Sequence, residues 1–182
     1  MSSIVISGDS SGAITLAAPS VAGTNTITLP ASTGTVLTTG SPQSGGVIQA
    51  VTYSKINSSS TTSTSYVATN LTLSITPKFS TSKILILFSF TWANAGTANS
   101  SYCTIYRNST ELSAGLSGSG FGQTYNQAGN PTYFPTGISY VDSPATTSST
   151  TYTLYIKANA GQTIYIGDNN TIQSITLMEI AA

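Results

Sequence analysis

The chain has 182 residues; only ten are charged, five basic and five acidic, none is histidine, and 61 are Ser or Thr. Catalysis, metal binding and phosphate recognition draw mostly on His, Asp, Glu, Lys, Arg and Cys, so this composition points away from an enzyme and toward a structural or binding protein. Zero net charge removes long-range attraction to nucleic acid or an anionic membrane, and it leaves little repulsion between copies.

Disorder does not follow from the low charge. Ten Tyr, five Phe, one Trp and many Ile, Val and Thr favour strands, and disordered chains lack such residues. No run shows the i, i+3, i+4, i+7 pattern of a helix. None approaches the roughly 20 apolar residues needed to span a bilayer. The longest, 84–90, reads as a buried strand, and the first residues lack the positive segment of a signal peptide.

Residues 1–40 read as an extended arm. Ile4-Val5-Ile6 precedes a turn at Gly8-Asp9, and Ala13-Ile14-Thr15-Leu16 is echoed thirteen residues later by Thr26-Ile27-Thr28-Leu29. Gly34-Thr35 then leads into Val36-Leu37, and Pro19 and Pro30 end the two Ile-Thr-Leu strands. Each unit has too few apolar side chains to stabilise a lone strand pair, so the arm needs a neighbour. Its candidate contact residues are Ile4, Ile6, Ile14, Leu16, Ile27, Leu29, Val36 and Leu37.

Residues 41–46, Ser-Pro-Gln-Ser-Gly-Gly, read as a hinge, and 47–182 as a β-sandwich head. Strands are expected at 47–56, 66–67, 71–75, 83–92, 102–107, 138–141, 151–157, 163–166 and 171–180. Within 83–92, Ile84, Ile86, Phe88, Phe90 and Trp92 share one face and Leu85 and Leu87 the other, which implies a central strand with a second packing surface. Residues 115–131 read as a long exposed loop, while 159–161 and 167–170 read as hairpin turns. The whole is all-β: an extended N-terminal arm followed by an antiparallel, jelly-roll-like sandwich.

Chemistry-bearing residues are scattered. Asp9, Asp142 and Asp168 suit turns, and Glu111 and Glu179 stand alone, so no carboxylate pair is marked out for glycoside hydrolysis. Asp168-Asn169-Asn170 could lend oxygens to calcium but reads more simply as a turn. Cys103 has no partner for an internal disulfide and no histidine to activate it, and reads as a small buried hydrophobe. No catalytic residue, metal or cofactor is expected. Five Asn-x-Ser/Thr sequons are about what chance gives in this composition. Phe121, Tyr125, Tyr133 and Phe134 either form a recognition surface for glycan or protein, or pack their loop onto the domain or a neighbouring subunit.

Two sets of segments carry a resemblance. Residues 7–16 (SGDSSGAITL) and 22–39 (AGTNTITLPASTGTVLTT) form one; residues 76–86 (TPKFSTSKILI), Tyr106-Arg107-Asn108, 142–153 (DSPATTSSTTYT) and 175–180 (ITLMEI) form the other. Together they resemble small virion proteins of tailed bacteriophages, of the kind labelled head decoration, cement or fibre protein. That resemblance implies a homotrimer of jelly-roll heads on the virion surface, with no catalytic residues. The expected partners are the major capsid protein or another virion protein, held through the arm. As a short tail or head fibre, the heads would instead touch a host surface glycan. A free carbohydrate-binding module is the third reading.

Overall fold

The computed structural model describes residues 3–8, 10–17, 19–21, 23–26, 31, 40, 42–56, 58–95, 99–115, 119–126, 133–167 and 170–182. The chain divides into two compact units, Met1–Val36 and Leu37–Ala182. In the first, β1 (Ser3–Ser7) pairs antiparallel with β2 (Ala13–Ala17). The Gly8 N–H donates to the Gly12 carbonyl at 3.0 Å, and Gly12 takes φ 77°, open to a residue without Cβ. The register sets Ile4 opposite Leu16 and Ile6 opposite Ile14. With side chains alternating across a strand, those four share one face, and Val5, Ser7, Ala13, Thr15 and Ala17 occupy the other.

The second unit contains β3 (Val47–Ile56), β4 (Ser59–Thr61), β5 (Val67–Ile75), β6 (Lys83–Ala95), β7 (Asn99–Arg107), β8 (Thr110–Glu111), β9 (Gly122–Asn126), β10 (Phe134–Asp142), β11 (Thr150–Ala158), β12 (Thr163–Ile166) and β13 (Ile172–Ile180). The ladders join β3 to β13, β5 to β11, β6 to β10 and β7 to β9. This is one long hairpin rolled up on itself. Two further ladders, β13 to β6 and β11 to β7, fuse its rungs into two sheets. Sheet I runs β3-β13-β6-β10 and sheet II runs β5-β11-β7-β9. Counting the eight main strands in chain order gives 1-8-3-6 against 2-7-4-5, the order of a jelly roll.

Alternation writes the core directly. Ile84, Ile86, Phe88, Phe90 and Trp92 from β6, Ile175 and Leu177 from β13, and Tyr152, Leu154 and Ile156 from β11 are buried between the sheets. Each such side chain contributes about 2 kcal/mol by leaving water. Cys103 is fully buried among them, and burial pushes its thiol up to about 12. The outward residues of β6 include Leu85 and Leu87, both half-buried on the outer face of sheet I.

Several local expectations need correction. Residues 115–131 are not one loop, because β9 lies within them and pairs with β7. The segment 159–161 joins β11 in sheet II to β12 in sheet I, so it crosses between sheets and is no hairpin turn. The strands flanking 167–170, of which 168 and 169 lie outside the described residues, do not pair with each other as a hairpin either. β12 and β13 lie end to end on the same edge of β6, with Ile166 opposite Trp92 and Ser174 opposite Ser89. Asp142 closes β10 as a buried ion-pair residue and not as a turn aspartate.

Candidate functional site

The arm candidates that are described come together. Ile4, Ile6, Ile14 and Leu16 form a single patch, each between 56% and 68% exposed. Every aliphatic side chain of this hairpin therefore stays largely in water, a cost a two-stranded ladder cannot offset by itself. Ile27, Leu29, Val36 and Leu37, like Asp9 and Asp168, lie outside the described residues.

The head has two unlike ends. At one, the Gly45 N–H donates to the Ala181 carbonyl and the Ala181 N–H to the Gly46 carbonyl, both at 2.9 Å, so the last two residues of the expected hinge, 41–46, are themselves fastened beside the last strand; this is the hinge end of the head. The acids of the head that are described cluster at this end, each committed to structure. Asp142 accepts from Arg107 Nη1 at 2.9 and 3.0 Å and from the Tyr152 hydroxyl at 2.7 Å. Burial and that carboxylate push the Tyr152 phenol well above its usual range. Glu179 is fully buried and accepts from Gln49 Nε2 at 2.6 Å and from the backbone N–H groups of Lys78 and Phe79 at 2.8 and 3.2 Å. Burial acts to raise its pKa, but these donors outweigh burial and hold it below the usual carboxylate range. Glu111 accepts from the Ser113 hydroxyl at 2.7 Å. Among the described residues, no three His, Cys, Asp or Glu side chains converge as a metal site.

The opposite end carries the exposed rings. Tyr125 near the end of β9, Tyr133 just before β10 and Phe134 at its start are all exposed there. Phe121 is not with them. It is half-buried against the core and meets Tyr140 edge-on, with ring centroids 4.8 Å apart. Three of the four aromatic candidates thus share one end of the head, and the fourth is a packing residue.

A second aromatic group, on the outer face of sheet II, was not singled out from the sequence. Tyr106 and Tyr155 stack with centroids 3.9 Å apart, and the Lys157 ammonium lies 4.4 Å from the Tyr66 ring centre and 5.2 Å from that of Tyr102. Burial, then the Glu111 charge, push the Tyr66 phenol upward. The signal was present as even spacing: Tyr102 with Tyr106, and Tyr155 with Lys157, fall on one face of their strands. Around them run hydroxyl pairs across the ladder, Thr72 to Thr153 and Ser74 to Thr151, both at 2.7 Å. This face combines stacked rings, a lysine and paired hydroxyls.

No protein-family model matches the chain, and no curated protein is similar to it at a significant level. Among solved structures the fold is similar to VP2 of infectious bursal disease virus. Against a mutant VP2 in T=1 particles, 97% of this chain aligns with 44% of that one at 11% identity and a TM-score of 0.40. Against VP2 in another T=1 particle structure, the same coverage and identity accompany a TM-score of 0.38. For the VP2 subviral particle the figures are 75% of this chain, 39% of that chain, 10% identity and 0.35. The chain thus spans less than half the length of these VP2 chains.

Proposed function

We propose that this is a non-enzymatic structural protein of a bacteriophage virion, a homotrimer that decorates the capsid surface and is held there by its N-terminal arm. The observation that carries the reading is the β1–β2 hairpin, whose one apolar face, Ile4, Ile6, Ile14 and Leu16, is exposed within its own unit. Such a hairpin becomes stable by lending that face, or a free strand edge, to another molecule. Three arms on one trimer would bind together through raised effective concentration, even where each is weak. The segment resemblance to small phage virion proteins supports the same assignment, as does a head whose described carboxylates are all engaged in structural hydrogen bonds.

The decisive experiment compares particles with and without the protein under heat and osmotic shock, with a density map of the whole particle. Decoration predicts lower particle stability without the protein, and trimers of heads on the shell with arms running into it. Unchanged stability, with isolated heads adhering to host cells, would replace decoration by the fibre reading. One feature favours that alternative: Tyr125, Tyr133 and Phe134 stand at the end of the head opposite the hinge, where a fibre tip would meet a glycan.

A further inference from the structure

Sheet I has two long open edges. β3 offers ten residues and β10 nine, and among the described residues no strand pairs with the outer edge of either. Long free edges are normally guarded by charge, proline or a covering element. Here the guard is thin: Lys55 on β3, Pro135 near one end of β10, and Asp142, which is buried and held by Arg107.

Both edges also expose apolar side chains, and at matching heights. Toward the end opposite the hinge, Ile56 on β3, facing Ile172 of β13, stands level with Thr91 of β6, since Thr171 bonds Thr91 at 3.0 Å. On the other edge, Phe134 stands level with Trp92, and Tyr133 comes one residue before Phe134. Toward the hinge, Val47 aligns through Ile180 with Lys83, and Val141 pairs with Leu85. Val47, Ile56, Tyr133, Phe134 and Val141 are between 44% and 59% exposed.

Strand polarity completes the match. Three successive antiparallel ladders make β3 and β10 run in opposite directions. A rotation about an axis parallel to the strands preserves height and direction, so the β3 edge of one copy meets the β10 edge of the next antiparallel and in register. We infer that neighbouring heads meet edge to edge, the open side of β3 in one copy against the open side of β10 in the next. The contact is head-to-tail, closing into a ring of three when the rotation between copies is one third of a turn, and it differs from a two-fold contact, which would set β10 against β10 or β3 against β3. Near-absence of charge on both edges lets identical molecules approach without repulsion. The inference rests on the heads assembling as a homotrimer.

The test is cross-linking of the full chain. Ile56→Cys with Tyr133→Cys forms a matched pair, and Val47→Cys with Val141→Cys a second one at the other height; buried Cys103 supplies no background. Treated with a short bis-maleimide, each matched pair should give covalent dimer and trimer on a denaturing gel. Either cysteine alone, or the mismatched Val47→Cys with Tyr133→Cys, should leave monomers. A trimer by light scattering whose matched pairs stay unlinked would overturn the edge contact while leaving the trimer intact. Linking by Ile56→Cys alone would overturn it in favour of a two-fold contact. A monomer by light scattering would remove trimer and contact together, and binding of the arm to particles would then be judged by co-sedimentation.

Discussion

The Asp142 carboxylate at the end of sheet I accepts both the Arg107 guanidinium and the Tyr152 hydroxyl of sheet II, and so ties the two layers together near the hinge end of the head. Its side chain is 8% exposed and that of Arg107 28%, so removing the acid strands more buried polarity than removing the base. Asp142→Ala should cost about 2–3 kcal/mol in urea unfolding, Arg107→Ala distinctly less, and Tyr152→Phe about 1 kcal/mol. A double-mutant cycle between Asp142 and Tyr152 should show coupling.

Glu179 makes stability depend on acid. Its folded pKa lies below the unfolded value of about 4.3, so its contribution is present above that pH and disappears as pH falls through the folded pKa. Glu179→Gln turns an NH2 toward donors and should cost about 2 kcal/mol at pH 7. The gap between the two proteins should narrow below pH 4, as read from denaturant midpoints across a pH series.

Gly120 has no room for a side chain. It sits at φ 69°, and an added Cβ would run into the Cys103 carbonyl and the Tyr66 hydroxyl. Gly120→Ala should lower stability by about 3 kcal/mol, combining backbone strain with the clash. Gly115→Ala, at φ 79° with open space around it, should cost only about 1 kcal/mol. Thermal melts of the two variants separate these contributions.

Ile6→Ser with Ile14→Ser removes one rung of the exposed arm face without touching the head. The melting temperature of the head should stay within about 1 °C of wild type, since surface changes away from a core are near neutral. Co-sedimentation with particles stripped of the protein should fall at least tenfold.

Much of the fold was legible because alternation is a strong code. The even-numbered apolar run from Ile84 to Trp92 could serve only a strand facing a core, and Gly and Pro mark most of the breaks. What composition could not reveal was sheet membership. Asn159-Ala160-Gly161 has the makeup of a tight hairpin yet carries the chain between layers, because turn residues encode local backbone angles and not which strand lies alongside. β9 was hidden for a similar reason: Gly122-Gln123-Thr124-Tyr125-Asn126 has almost no apolar period and takes its strand form from pairing with β7. Of the site candidates, Phe121 shows the limit most clearly. Its burial, unlike that of Tyr125, comes from partners distant in sequence: its N–H bonds the Cys103 carbonyl at 2.8 Å, eighteen residues away, and its ring meets Tyr140.

The rolled hairpin also sets a schedule for biosynthesis. Since β3 finds its ladder partner only in β13, more than a hundred residues later, sheet I cannot close until nearly all of the head has left the ribosome. Contacts of such long sequence range make for slow, all-or-none folding, on the order of milliseconds to seconds. During that interval β3 waits as a naked strand, when dilution or a chaperone would protect the yield more than any surface mutation could.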